Sequence, residues 1–289
     1  GLVALDTFHN AALLHARGFD VVALHRRGAP PPGPRARAAD LLDEGAVAAV
    51  LGDERPHAVV HAAVLGRTDL CEQRPGEAER VNVELPRTLA RECARRGTRL
   101  VALSTDLVFA GDRPFLRESD PPGPLSVYGR TKLLGEEAVL DACPGAAVVR
   151  LALVLGRGHG PRGTSTESVA WALSAGRPVR LFTDEHRTPV DAASVADAAS
   201  RLLESSAAGR FHIAGPERLS RHALGLRVAS VLGLDPSLVQ AARQGEHAGP
   251  DRRPADVSLD ATRAREELGW TPLPLDEAIR EGRAAAPAV

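Results

Sequence analysis

Leu100-Val-Ala-Leu-Ser-Thr-Asp106 and, about twenty residues on, Ser126-Val-Tyr-Gly-Arg-Thr-Lys-Leu-Leu-Gly-Glu136 decide how this chain is read. The first stretch is a short apolar run that ends in Ser104, Thr105 and Asp106. It predicts a buried parallel strand, and open α/β sheets place their ligands at the carboxyl ends of such strands. The second stretch holds the single tyrosine of the chain, Tyr128, and its single lysine, Lys132, four residues apart. That spacing puts both on one helix face, one turn from each other. A neighbouring ammonium lowers a phenol pKa, so the pair is expected to work as a general acid/base near neutral pH. Every other cationic side chain among the 36 Lys+Arg is arginine. A compact ammonium kept only here points to chemistry, because a planar guanidinium fork is no substitute for it.

Working outward, Phe19 to His25 predicts the second strand of a dinucleotide-binding unit, and Phe8 to Arg17 the helix before it, closed by Gly18. The fold class is therefore α/β, a Rossmann-type doubly wound parallel sheet with a small C-terminal substrate-binding lobe. The expected division is residues 1–150 for the dinucleotide domain and 151–289 mainly for the substrate lobe, with some segments returning to the sheet. By spacing, the three glycines of the phosphate-binding turn fall on Gly1, Ala4 and Thr7. On that reading Gly1 alone survives as a cofactor contact and the first strand is missing, its leading segment lost. An empty mid-sheet position would leave the backbone groups of both neighbours exposed.

The wider string from Ser104 to Gly111, Glu118-Ser-Asp-Pro-Pro-Gly-Pro before the Tyr128 helix, Arg55-Pro-His-Ala-Val-Val-His-Ala-Ala63, Val81-Asn-Val-Glu84, Phe211-His-Ile-Ala-Gly-Pro-Glu217 and Leu268-Gly-Trp-Thr-Pro272 strongly resembles the dTDP-4-dehydrorhamnose reductase family, an extended branch of the short-chain dehydrogenases/reductases. The resemblance implies reduction of a nucleotide-activated 4-keto-6-deoxy sugar, in that family dTDP-4-dehydro-L-rhamnose to dTDP-L-rhamnose. It implies Thr105, Tyr128 and Lys132 as catalytic residues, with Lys132 and Tyr128 also near the nicotinamide ribose. Asp40 and Leu41 match the position near the adenine. Ala62 and Ala63 match the loop beneath the pyrophosphate. On the substrate side it implies Ser104, Asp106, Leu107, Leu153 and Arg187, the last as the diphosphate contact. Leu107 and Leu153 stand where the rhamnose-forming enzymes carry aromatics, so sugar recognition is expected to differ.

After the second strand, His25-Arg26-Arg27 offers paired arginines where a carboxylate would hold the ribose of NAD. This favours NADP(H) over NAD(H), through Arg26 and Arg27. A non-catalytic relative, similar to the regulatory beta subunit of methionine adenosyltransferase, also fits a glycine-poor turn, but Tyr128, Lys132 and Thr105 count against it. An epimerase or dehydratase is the third class, and Leu107 after Asp106, where dehydratases have a second acid, disfavours it.

The net charge of −1 carries no footprint for nucleic acid. Cys71, Cys93 and Cys143 follow neither a disulfide framework nor zinc-ligand spacing. No apolar run approaches a membrane span and no secretory signal pattern opens the chain. A cytoplasmic enzyme is the expectation, with a nucleotide sugar as its small-molecule partner, no metal, no nucleic acid and no membrane, and compatible with a homodimer.

Overall fold

The computed structural model describes residues 2–5, 8–25, 33–156, 164–246 and 253–282. In chain order the strands are β1 (Leu2–Leu5), β2 (Val21–His25), β3 (Arg35–Ala38), β4 (Ala58–His61), β5 (Arg99–Thr105), β6 (Ala147–Leu151), β7 (Val154–Leu155), β8 (Val179–Phe182), β9 (His186–Arg187), β10 (Val190–Asp191), β11 (Gly209–Ile213), β12 (Leu219–Ser220) and β13 (Val239–Ala242). The helices are α1 (Phe8–Ala16), α2 (Glu44–Glu54), α3 (Thr68–Gln73), α4 (Pro75–Glu79), α5 (Leu85–Arg96), α6 (Val127–Ala142), α7 (Ser165–Ser174), α8 (Ala192–Leu203), α9 (Arg221–Leu232), α10 (Thr262–Leu268) and α11 (Leu275–Glu281). A π-helical turn, Arg80–Glu84, leads into α5.

Seven parallel strands form the main sheet in the order β11-β6-β5-β4-β1-β2-β3. The order reverses between β4 and β1, and a crevice opens there at the carboxyl ends of the strands. Alternation along each strand feeds two cores. Val101 of β5 lies in the core under α1, α8 and α10, while Leu100 and Ala102 lie in the core under α2, α5 and α6. This two-sided burial explains why β5 reads as an unbroken apolar run. A third core, including Leu155, Val169, Leu173, Leu224, Val228 and Ile279, belongs to the C-terminal lobe. From the C-terminal half, β11 returns to the main sheet beside β6, and Trp270, fully buried, donates its indole N–H to the Ser194 carbonyl at 2.9 Å.

The mid-sheet position is filled, which corrects the expectation of a missing first strand. Leu2–Leu5 pairs in parallel with Val21–Leu24 on one side and with Ala58–His61 on the other. Glycine spacing places the phosphate turn too early in the chain: Ala4 is a strand residue, in register with Ala23 and Val60. Gly1 and Thr7 lie outside the described residues, and the correspondence that made Gly1 a cofactor contact fails with Ala4. Only Asp6 and Thr7 separate β1 from α1, so no glycine stands between strand and helix.

β11 is an edge strand, and its free side is capped by side chains. His212 donates its backbone N–H to Glu118 at 2.8 Å, and Arg263 donates to the carbonyls of Arg210 at 2.6 Å and Ala208 at 3.1 Å.

Candidate functional site

Thr105 is the last residue of β5, at the carboxyl edge of the sheet. Its Oγ1 accepts from the Leu107 N–H at 3.2 Å and lies 3.2 Å from Asp106 Oδ1. Tyr128 enters from α6, whose start is fixed by Ser126: the hydroxyl accepts from the Gly129 N–H at 3.1 Å. Two glycines set how closely this helix docks. A Cβ at Gly129 would lie 2.3 Å from the Leu107 carbonyl oxygen, and one at Gly135 would lie 2.1 Å from that of Asn82. No side chain fits at either contact, so the backbone of α6 rests directly on the turn that follows β5 and on the π-helical turn. The result sets the half-buried Tyr128 phenol beside the Thr105 hydroxyl.

Burial pushes the Tyr128 pKa well above its ordinary value, with the Thr105 hydroxyl offsetting part of the rise and Asp106 and Cys71 adding to it. This corrects the expectation of a phenol lowered by the ammonium in the ligand-free chain. Lys132 is buried, and its Nζ donates to the Leu103 carbonyl at 2.8 Å. Burial lowers its own pKa to about 8, an effect Glu136 partly opposes. Desolvating the phenolate wins over any attraction from an ammonium already engaged by the backbone.

Asp106, beyond Thr105, is buried, and burial raises its pKa to about 6. Its nearest cation is Arg187 on β9, with Nε 3.6 Å from Oδ2. That guanidinium is itself buried, 3.2 Å from Glu185 and donating to the His186 carbonyl at 2.7 Å. Arg221 and Arg253 also approach Glu185, at 3.9 and 3.6 Å. The residue expected to meet a diphosphate is thus held between two carboxylates of the chain.

Ser104 turns away from Thr105: its hydroxyl donates to Glu136 at 2.5 Å inside the protein. Leu107 packs against the sheet core and Leu153 against the lobe core. At the other side of the crevice, Asp40, Leu41 and Ala63 share a cavity of about 170 Å³ with Leu24, His25 and Val64. Ala62 is buried beside Ala63 at the end of β4. His61 is buried, its pKa pushed down to about 3 by burial and by Lys132, and neither ring nitrogen has a hydrogen-bond partner among the described residues. Arg26 and Arg27 lie outside the described residues.

Two residues of the site escaped the sequence reading. Asn82 accepts from the Leu65 N–H at 2.9 Å and donates to Thr131 at 3.0 Å, tying the segment after β4 to α6. Glu136 is buried and paired with Arg150 at 2.8 Å. The available signals were an amide between two valines, at Asn82, and the continuation of the Tyr128–Lys132 spacing by four more residues, at Glu136. Among the described residues no cluster of His, Cys, Asp or Glu could hold a metal ion, and no helix is long and apolar enough to cross a membrane.

Known proteins resemble this chain in sequence and in fold. A probable low-salt glycan biosynthesis reductase of Haloferax volcanii is 32% identical over 279 residues, covering 94% of this chain and 92% of that protein. The methionine adenosyltransferase 2 subunit beta of Bos taurus is 32% identical over 242 residues, covering 82% and 72%. The crystal structure of a dTDP-4-dehydrorhamnose reductase from Bacillus anthracis in complex with NADP shares the fold, with a TM-score of 0.84 at 19% identity over 97% of this chain and 98% of that one. Residues 9–285 match the family model described as the RmlD substrate binding domain, and the chain belongs to that family of dTDP-4-dehydrorhamnose reductase-like, sugar-nucleotide reductase proteins.

Proposed function

We propose that this protein is an NADPH-dependent reductase of a nucleotide-activated 4-keto-6-deoxy sugar, with Tyr128 as the proton donor. The observation that carries the reading is the placement of the Tyr128 phenol beside the Thr105 hydroxyl at the carboxyl end of β5, with Lys132 one turn along α6. The cavity formed by His25, Asp40, Leu41 and Ala63 suits a dinucleotide, because aliphatic walls accept a base and the alanine lets the backbone approach closely. Ala62, Tyr128 and Lys132 would complete the cofactor site, and Arg26 and Arg27 would favour the 2′-phosphate. When bound, the nicotinamide supplies the hydride to the ketone carbon.

The chain supplies the rest. Tyr128 and the Thr105 hydroxyl hold the ketone oxygen, and Tyr128 gives it a proton as negative charge develops there. A phenol with a raised pKa is fully protonated at neutral pH, so the acid form stands ready. Lys132 stabilises the phenolate that remains, which solvent then reprotonates. Leu107 and Leu153 shape the sugar pocket, and Arg187, once drawn from Asp106 and Glu185, meets the diphosphate.

Tyr128→Phe tests this reading. Turnover of a dTDP-4-dehydro-6-deoxy sugar should fall by about 10²–10⁴-fold, with NADPH affinity preserved; near-native turnover would refute the assignment. A second reading, cofactor binding without turnover, draws on the glycine-free link between β1 and α1 and on the likeness to an adenosyltransferase subunit. It predicts that the unmodified protein reduces no such sugar.

A further inference from the structure

Beneath the site lies a buried ionic network that the reaction does not itself use. Glu136 is 3% exposed and sits one turn after Lys132 on the same helix face. Its carboxylate accepts from Ser104 of β5 at 2.5 Å, from Arg150 of β6 at 3.1 and 2.8 Å, and from Arg210 of β11 at 3.2 Å. One carboxylate therefore ties α6 to three adjacent strands. Arg150 is in register with Ser104, is 2% exposed, and lies 4.9 Å from the centre of the Phe109 ring. We propose that Glu136 is the positioning residue of this site, a carboxylate that seats α6 on the Thr105 end of β5 and supplies the counter-charge beneath Lys132.

The charges make the case. Arg150 and Arg210 touch the carboxylate directly, and Lys132, one turn before it on α6, lies within reach of its charge. The groups facing Lys132 from the other elements are the Leu103 carbonyl of β5 and His61 of β4, a buried imidazole that stays neutral. On its own helix Lys132 has Tyr128 one turn before and Glu136 one turn after. Burial works against the ammonium and Glu136 works for it. A glutamine would keep part of the hydrogen bonding and remove all of the charge. Its meaning for catalysis rests on the proposed role of Lys132, but the test does not.

Because Lys132 is the only lysine, the full chain grown with ¹³C,¹⁵N-lysine shows one lysine side-chain signal, and its chemical shift against pH gives the ammonium titration directly. Glu136→Gln should move the midpoint down by about one pH unit or more, the usual effect of losing a near opposite charge. Glu136→Asp, which keeps the charge, should restore most of it. Arg210→Gln removes a cation from the partly exposed rim of the network and should move the midpoint upward. Opposite shifts are something a purely structural role would not produce. An unchanged midpoint in Glu136→Gln, or, if that variant does not fold, an unchanged midpoint in Arg210→Gln, would overturn the proposal. Shifts as expected in a protein that reduces no sugar would refute the proposed function and leave this role intact.

Discussion

Lys132 donates a 2.8 Å hydrogen bond to the carbonyl of Leu103, two residues before Thr105 in the same strand. The ammonium is thereby fastened to the strand that ends in the candidate acid's partner. A guanidinium cannot make this contact in the same space, because it is broader and planar. Lys132→Arg should lower turnover by about 10²-fold or more, within the range for acid–base groups. Steady-state kinetics with NADPH at saturating sugar would check it, and a near-native kcat would contradict the fit described.

The phenol itself can be followed because it is the only one in the chain. Ultraviolet difference absorbance on raising the pH should show a single ionisation with a midpoint above the ordinary tyrosine value of about 10, since burial dominates the shift. Thr105→Val should push it higher still by removing the hydroxyl that opposes the effect of burial. An ionisation at or below the ordinary value would show that the phenol is better solvated than its surroundings imply.

Asp106 predicts a pH dependence of stability. Its folded pKa is raised from 3.8 to about 6, so between those values the folded chain binds more protons than the unfolded one. The stabilisation is complete below about 3.8 and is lost as the pH rises through about 6. Relative to Asp106→Asn, the unmodified protein should gain stability as the pH falls across that window. Urea unfolding at several pH values would measure the difference, and a gap that widened in the opposite sense would be incompatible with a buried, raised carboxylate.

Gly135→Ala should be costly despite the helix-favouring residue introduced, because its Cβ meets the Asn82 carbonyl oxygen at 2.1 Å. Overpacking of this kind costs about 1–3 kcal/mol, and it also lifts α6 from its seat. Gly145→Ala, with nothing within 4 Å of the added Cβ, serves as the neutral control. Thermal melting should separate the two, and equal Tm values would mean that the helix has room to shift.

The cofactor preference is tested by replacing Arg26 and Arg27 together with serine. Charged hydrogen bonds contribute about 1.5–3 kcal/mol, so the ratio of NADH to NADPH dissociation constants should collapse toward one. Isothermal titration would report this. Equal affinities in the unmodified protein would remove the basis for an NADP preference.

What could be read beforehand followed from local chemistry. Tyr128, Lys132 and Thr105 stand out by residue type and spacing, and the structure brings them to one strand end. Two helix starts carry a local signal of the same kind in their capping residues: Asp191 accepts from the Ser194 N–H and Ser220 from the Ala223 N–H. The first strand reads as missing because a glycine spacing is fitted to a link, Asp6-Thr7, that holds none. The sign of the Tyr128 shift depends on burial, which only the packed molecule determines. Glu136 and Arg150 are fourteen residues apart on different elements, and no local pattern announces a pair of that kind. Arg187 was singled out for its charge, but its confinement by Asp106 and Glu185 is a property of the assembled cleft.

The side chains over β11 have a consequence for how copies of this protein meet. Glu118 and Arg263 occupy the outward N–H of His212 and the outward carbonyls of Arg210 and Ala208, the groups through which an edge would otherwise recruit a foreign strand. Those groups are engaged by hydrogen bonds that a second chain would have to displace. Strand addition at that flank must first break them, which disfavours templated growth of the backbone there.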